Sequence, residues 1–506
     1  MSYSMYLCLT LATSGLPSHE DAEPNCDLND ATGPGMDRIR TLVEKLRNGV
    51  LSPLVVAQFE KELKQELGEL GRAVSAWTYN HLEGGAARSL PDRVHFEGSP
   101  YRRLSKKTRQ EVSTLFGKVQ WYRQGYRAAA SVGDRVLFPL CRELGLVQGA
   151  TPALVECVAR YQAESGATQK QTLARLRREH GISWGVKKLR QVTEFVAAAM
   201  DGHRQAAQVD RVLEWLRQAE ASRGQHRPVL GVGRDGITLG LQIKGYNIYE
   251  VASAGTLTVY DRRGRRLGTV YLAYTPEPGQ ATMSLHLTGL LTEVLRRWSG
   301  RLPRLAYVTD AGDNETSYYR KELRRLRHPR TGERLQWFWV VDYYHASERL
   351  WTMADALFGA GPKARSWARK MQRLLLKPAG VSRVLHSAGA LRSRGKLTAT
   401  RLAQFRRAYN YLHSRRRHLR YDEYRRLGLP IGSGVTEAAC KTVYTQRLKL
   451  SGMRWKQAGA QTILTLRVIL LSGVWDTVYA QTLATSSEVE VRTSSLSKGS
   501  APVSAA

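Results

Sequence analysis

Apolar residues recur at helical spacing between Met36 and about Glu83, first in DRIRTLVEKLRNG and then in VAQFEKELKQELGELGRAVSAWTYNHLE, with charges on the opposite face. That spacing predicts two helices. Over residues 84–150 the pattern changes, and EVSTLFGKVQWYRQGYRA alternates apolar and polar positions around Gly117 as the strands of a β-hairpin do. Residues 36–150 thus read as a helical region with a small hairpin module. Helical spacing returns in segments beginning at Thr151, Ala167 and Ser183. The flanks 1–35 and 484–506 carry too little patterned apolar content to predict packing and are expected to be disordered.

The stretch from 225 to 345 is the most orderly. VLGVGRDGI reads as a buried strand, and NIYEVASAGTLTVYD and RRLGTVYLAYT as two more joined by a DRRG turn. MSLHLTGLLTEVLRRW follows as an amphipathic helix, LPRLAYVTDAG as a fourth strand, SYYRKELRRLR as a helix and LQWFWVVDYYH as a fifth strand. Residues 346–430 are helical throughout. LGLPIGSGV breaks the helix and TEAACKTVYTQRLKLSGMRW resumes it, giving a last segment at 431–483. The order β-β-β-α-β-α-β predicts an α/β fold with an RNase H-like mixed five-stranded core, interrupted by an all-helical insertion and preceded by a mostly helical N-terminal region.

Within 151–205, LARLRREHGISWGVKKLRQV places Gly181 as a helix stop and Ser183 as an N-cap, with Lys187, Lys188 and Arg190 on the next helix. That is a helix-turn-helix layout whose last helix could enter a major groove. Helix, Gly turn, helix is equally a motif of structural bundles, and both readings stand at this point.

Composition adds one strong constraint. The 506 residues carry 77 Lys and Arg against 44 Asp and Glu, a formal charge of +33, which argues for a polyanionic partner, with double-stranded DNA foremost. A basic membrane-surface protein would need a basic amphipathic helix or lipidation signal, and neither stands out. TILTLRVILLSGVW is interrupted by Arg467 and is too short to span a bilayer, so it reads as a core helix. The opening MSYSMYLCLTLATSGLPS has no Lys or Arg before its apolar part, unlike a secretory leader. Cys8, Cys26, Cys141, Cys157 and Cys440 form no CxxC pair, so neither a zinc ribbon nor a disulfide framework is predicted, and a cytoplasmic, nucleoid-associated location is expected.

Three acids stand at the edges of apolar runs: Asp235 in RPVLGVGRD, Asp310 in RLAYVTD, and Glu437 after the Gly-rich turn of GSGVTEAACK. In an RNase H-like order the first and fourth strands are neighbours, which would bring Asp235 beside Asp310 with Glu437 approaching from a later helix. Carboxylates so gathered repel one another, and a divalent cation removes that cost. Each acid has a plainer reading: Asp235 and Asp310 as turn residues near Gly236 and Gly312, and Glu437 as an acid favoured at a helix N-terminus. Asp313 and Glu315 compete with Asp310, which is preferred because it directly ends its apolar run.

VGRDGI, YVTDAGDNETSYY, VVDYYHASERLW and GSGVTEAACK followed by R-x-K-x-S-G-M-R-W resemble ISKra4-type insertion-sequence transposases of the DDE group, most strongly over residues 228–457. The resemblance implies a catalytic, metal-binding triad of Asp235, Asp310 and Glu437, holding two Mg²⁺ (or Mn²⁺) ions. It also implies recognition of the element's ends by the N-terminal region, and a supporting role beside the metal for Asp342 and His345, whose alternative is a pair capping the following helix. The relatives tend to carry a Cys-rich patch after the hairpin, whereas YRAAASVGDRV has no cysteine, so the resemblance carries no zinc site onto this chain.

KTVYTQRLKLSGMRWKQ holds five basic residues and no acid. Lys441, Arg447, Lys449, Arg454 and Lys456 would line a phosphate backbone, and Trp455 would stack on an unpaired base or serve as a core tryptophan. RLAQFRRAYNYLHSRRRHLRYDEYRR adds nine arginines against two acids. The expected reaction is phosphoryl transfer that frees a 3′-OH at a transposon end and joins it to target DNA. Synapsis of two ends implies a homodimer or higher multimer. The alternatives are an RNase H-like nuclease without strand transfer and a catalytically idle DNA-binding descendant.

Overall fold

The computed structural model describes residues 10–11, 27–83, 90–96, 99–128, 135–243 and 245–486. They form two compact units: one comprises the described residues up to Gln162 with Ala167–Ala199 and the end of the last helix from Tyr479, the other Ala163–Gly166 and Met200–Val478.

The first unit contains β1 (Thr10–Leu11), α1 (Leu28–Asn48), α2 (Pro53–Asn80), β2 (Arg93–Phe96), β3 (Ser99–Arg103), β4 (Thr108–Thr114), β5 (Gly117–Arg123), β6 (Tyr126–Ala128) and β7 (Arg135–Leu137). Helices α3 (Pro139–Glu143), α4 (Pro152–Ala163), α5 (Gln169–His180) and the start of α6 (Val186–Ala221) follow. The hairpin expected around Gly117 is β4–β5, paired from Thr108↔Arg123 to Thr114↔Gly117. Its Val112, Val119 and Trp121 share a core with Val136, Phe138 and Leu140. Beside it lies a five-stranded sheet in the order β1-β7-β6-β3-β2 that the sequence did not predict, because strands such as RVHF and SPYRR are too short and polar to show a period.

Three boundaries differ from expectation. Helix α1 starts at Leu28, not near Met36: Asp27 and Asp30 form a capping box that fixes the start ahead of Pro34, so the predicted extension 1–35 is helical in its last part. The remainder of that extension, apart from the Thr10–Leu11 strand, lies outside the described residues, as does the tail beyond 486. Gly181 caps α5 in a left-handed conformation, φ 63°, as predicted. Ser183, however, is not the N-cap of the next helix, which begins at Val186 with Leu189 N–H bonded to the Gly185 carbonyl. That helix is 36 residues long, and Val209, Val212, Leu213 and Leu216 on its later turns join the main core of the second unit. A boundary at 205 therefore falls inside a continuous helix.

The second unit is mixed α/β. Its strands β8 (Val229–Ile243), β9 (Tyr246–Tyr260), β10 (Arg266–Tyr274), β11 (Arg304–Thr309) and β12 (Trp337–Val341) form one sheet in the order β10-β9-β8-β11-β12. β9 is antiparallel to β8 and β10, whereas β8, β11 and β12 are mutually parallel. Helix α7 (Ala281–Arg297) lies between β10 and β11 in sequence, and α8 (Asp313–Lys321) between β11 and β12. Helices α9 (Tyr343–Phe358), α10 (Pro362–Leu375), α11 (Gly380–Arg394), α12 (Ala399–Arg415) and α13 (Tyr421–Arg426) make up the predicted helical block. α14 (Gly434–Ala439), a π-helical turn (Cys440–Thr445), α15 (Gln446–Leu448), α16 (Gln457–Leu471) and α17 (Trp475–Ser486) close the chain.

Alternation puts the two sheet faces to different uses. Leu230, Val232, Leu257 and Leu272 pack with α6 and α7, while Leu239, Leu241, Ala252 and Ala254 pack with Val443, Tyr444, Ile463 and Leu464 of the C-terminal helices. Arg467, the charge that interrupts the apolar run of α16, is buried and spends its donors on the Ala163 carbonyl, the Ser165 hydroxyl and the Thr442 carbonyl. Among the described residues no single helix is long and apolar enough to cross a membrane.

Candidate metal centre

Strand pairing brings the acids together. β11 runs parallel to β8 with Val308 opposite Gly233, and continuing that register by two residues sets Asp310 beside Asp235. On the other side Thr309 pairs with Val341, so Asp342 stands next to Asp310, its N–H bonded to the Thr309 carbonyl at 2.8 Å. Three carboxylates thus form a row across three adjacent parallel strands. Asp235 lies within its strand and not in the turn of its plainer reading, since β8 continues to Ile243 paired with β9 throughout. The turn reading of Asp310 does hold, because its Oδ1 accepts the Gly312 N–H at 2.9 Å.

Glu437 arrives on α14, and a glycine in β8 lets it approach. A Cβ on Gly233 would collide with the Thr436 hydroxyl, so any side chain there would push α14 off the sheet. Thr436 instead bonds Thr256 of β9 at 2.8 Å. One turn later, the Cys440 thiol donates to Asp235 Oδ2 at 3.5 Å.

Asp342 anchors the same region and is fully buried. Its Oδ1 accepts the His345 N–H at 2.8 Å, which caps α9 as the plainer sequence reading had it. Its Oδ2 accepts the Ser433 N–H and lies 2.9 Å from the Ser433 hydroxyl, which is also 2.6 Å from Glu437 Oε1. His345 Nδ1 sits 3.4 Å from Asp342 and 3.6 Å from Glu437, without the alignment of a hydrogen bond to either. The ligand atoms of Asp342, His345 and Glu437 all fall within 4.8 Å of one another.

The electrostatics separate two halves of this site. The Asp342 carboxylate raises His345 to about 9, with burial opposing, so at neutral pH the imidazolium itself supplies a positive charge between Asp342 and Glu437. Asp342 is held below the usual carboxylate range: burial opposes the shift, and hydrogen bonds from His345 and Ser433 outweigh it. Asp235 has the Cys440 thiol but no basic partner. Burial raises its pKa and the neighbouring Asp310 and Glu437 charges raise it further, against the Gly236 N–H bond. Among the described residues neither Asp235 nor Asp310 forms an ion pair with a basic side chain. Carboxylates in register, desolvated and lacking a counter-charge, are a donor set suited to a hard divalent cation. Asp235 and Asp310 stand in register without a basic partner, whereas Glu437 is exposed and 3.6 Å from the His345 ring, and among the described residues it is Asp342, His345 and Glu437 that bring three ligand atoms within 4.8 Å.

Ser433 and Cys440 were not foreseen as participants, and Glu315 was weighed only as a rival of Asp310. Glu315 is buried and pushed up to about 7, by burial first and then by Asp310 and Asp235. Its place one turn into α8, next to Asp310, was the available signal. Burial and the adjacent acids also push the Cys440 thiol up, keeping it a neutral donor to Asp235. Ser433 and Cys440 flank Glu437 at helical spacing, but nothing in the sequence says which carboxylate each would meet.

The residues expected to contact DNA divide by burial. Lys441, Lys449, Arg454 and Lys456 are exposed. Arg447 is not a surface cation: it is wholly buried, its pKa lowered to about 10 by desolvation, with its guanidinium 5.3 Å from the centre of the Trp455 ring. Trp455 packs on the Leu239–Tyr444 cluster and donates to the Leu448 carbonyl at 3.0 Å, so it serves as a core-edge residue. In the first unit Lys187 and Arg190 are exposed, Arg190 bonding Gln169 at 3.0 Å, while Lys188 lies 4.8 Å from the Trp184 ring centre, its pKa lowered by burial.

Set beside known proteins, the chain matches no family model and no curated protein.

Proposed function

We propose that the second unit is an RNase H-like catalytic core and that the chain is a DDE transposase of the ISKra4 type, acting on the ends of a bacterial insertion sequence. The observation that carries this reading is the β8–β11 register that sets Asp235 and Asp310 side by side, with Glu437 next in sequence to Thr436, which packs on Gly233 of β8. The sheet order β10-β9-β8-β11-β12, with the second strand antiparallel and the fourth and fifth parallel to the first, is the order such a core requires.

Asp235, Asp310 and Glu437 would hold divalent metal, two ions of Mg²⁺ or Mn²⁺. Bound there, the ions would activate water or a 3′-OH and stabilise the leaving oxygen of an in-line displacement. The chain's own groups do the rest. Ser433 orients Glu437, the Cys440 thiol and Gly236 N–H orient Asp235, and His345 holds positive charge beside the row of acids. Exposed Lys441, Lys449, Arg454 and Lys456, following Glu437 in sequence, would track the phosphate backbone.

Double-stranded DNA is the proposed partner, with two ends requiring at least two copies of the chain. An end substrate with a pre-cleaved 3′-OH, a target plasmid and Mg²⁺ test the reading. Joined products support a transposase, hydrolysis alone supports a nuclease, and DNA binding with neither supports an idle descendant.

A further inference from the structure

The loop that carries Asp310 is held from outside the sheet. Between β11 and α8 the chain passes through Ala311, which is 1% exposed and adopts φ 61°, a left-handed conformation that L side chains disfavour. Within the loop, Ala311 N–H donates to the Thr309 hydroxyl at 3.2 Å and Gly312 N–H to Asp310 Oδ1 at 2.9 Å. The carbonyls turn towards the helical block. Tyr411 of α12 donates to the Asp310 carbonyl at 2.6 Å, and Arg415, one turn further on, donates to the Ala311 carbonyl at 2.9 Å. Arg415 also lies 4.2 Å from the centre of the Tyr411 ring, and Arg349 of α9 lies 5.0 Å from it, so the two donors are packed as one group.

We propose that Tyr411 and Arg415 are positioning residues, a clamp by which the helical block holds the strained Asp310–Ala311 turn and so keeps the Asp310 carboxylate in register with Asp235. The proposal rests on Asp310 being a metal ligand only for its effect on activity; the clamp itself is a statement about the loop. Two consecutive carbonyls held by one helix orient the two peptide planes that flank Ala311, and its φ and ψ follow. Alanine stands where glycine would be at ease, and the local support comes from side chains: Thr309 and Asp310 accept the two loop amides, and Thr316 of α8 donates to the Ala311 carbonyl at 3.3 Å. The holds from outside the loop and α8 are the two on α12, at 2.6 and 2.9 Å.

Hydrogen exchange in the metal-free full chain tests the clamp, with the Gly312 amide as reporter and the Val308 amide of β11 as internal control. Tyr411→Phe and Arg415→Gln are each expected to speed exchange at Gly312 by about tenfold, the scale of one broken hydrogen bond, and to leave Val308 unchanged. Adding Ala311→Gly to Tyr411→Phe should restore protection at Gly312, because glycine accepts the left-handed conformation without help. In cleavage assays the clamp variants should need more Mn²⁺ for half-maximal rate while reaching a similar rate at saturation. If Tyr411→Phe also deprotects Val308, Arg415→Gln decides by the same two amides. Unchanged exchange at Gly312 in Arg415→Gln, or no recovery on adding Ala311→Gly, overturns the proposal. A wild-type chain that shows the exchange pattern but never cleaves DNA would keep the clamp and remove the catalytic reading.

Discussion

Asp342 and Glu437 share the hydroxyl of Ser433, at 2.9 and 2.6 Å. A serine hydroxyl has one hydrogen, and Asp342 Oδ2 already receives the Ser433 N–H, so the hydroxyl is free to serve Glu437. The exposed acid of the centre is thereby tied to its most buried one.

Ser433→Ala removes that tie while keeping the backbone donor to Asp342. The expected outcome is a drop of about tenfold in metal-dependent cleavage, as befits one charge-assisted hydrogen bond, with little change in melting temperature. Single-turnover cleavage and thermal melts on the same preparation check it.

The Asp342–His345 pair gives the metal-free protein a pH signature. His345 is raised above its unfolded value, so its contribution is fully present below about 6.5 and is lost as pH rises through about 9. Asp342 is depressed, so its contribution is present above about 4 and is lost as pH falls through its lower folded value. His345→Gln should flatten the decline of the melting temperature between about pH 6.5 and 9. An unchanged slope would remove the pair as its cause.

Glu315 has the sign of His345 and the opposite of Asp342. Its folded pKa of about 7 lies above its unfolded value, so ionising it costs stability as pH rises through 7. Glu315→Gln should therefore raise the melting temperature at pH 8 and leave it nearly unchanged at pH 5, read by calorimetry without metal.

Much of this was legible in the sequence, and the reason is local. The strands of the second unit announced themselves by apolar runs and the DRRG turn, and the helical block by its period. What pairing decides was harder to read. Asp235 before Gly236 had a turn as its plainer reading, yet β9 pairs straight past it to Ile243. Arg447 looked like one more cation in a basic run, and only tertiary packing shows that it is buried. Tyr411 and Arg415 belong to an arginine-rich helix whose composition suggested DNA, and their reach to the Asp310 loop spans about a hundred residues.

On the proposed reading, burial separates the basic residues that would contact DNA from those that would not. Replacing Lys449, Arg454 and Lys456 by alanine should weaken binding and lower the slope of log K against log salt by roughly 0.9 for each phosphate that is no longer neutralised. Arg447→Met should leave that slope intact and change the melting temperature instead. Filter binding across a salt series separates the two.

The central claim is that Asp235, Asp310 and Glu437 form one metal-dependent catalytic centre, and Glu437 is its most exposed member, reached only across the helical block. The most direct test compares Mg²⁺-dependent strand cleavage by the wild-type chain and by Glu437→Gln, on DNA that both bind equally. The account predicts cleavage by the wild type and a loss of at least about a hundredfold in the variant, the scale seen when a principal electrostatic group is removed. Cleavage that persists undiminished in Glu437→Gln would contradict it.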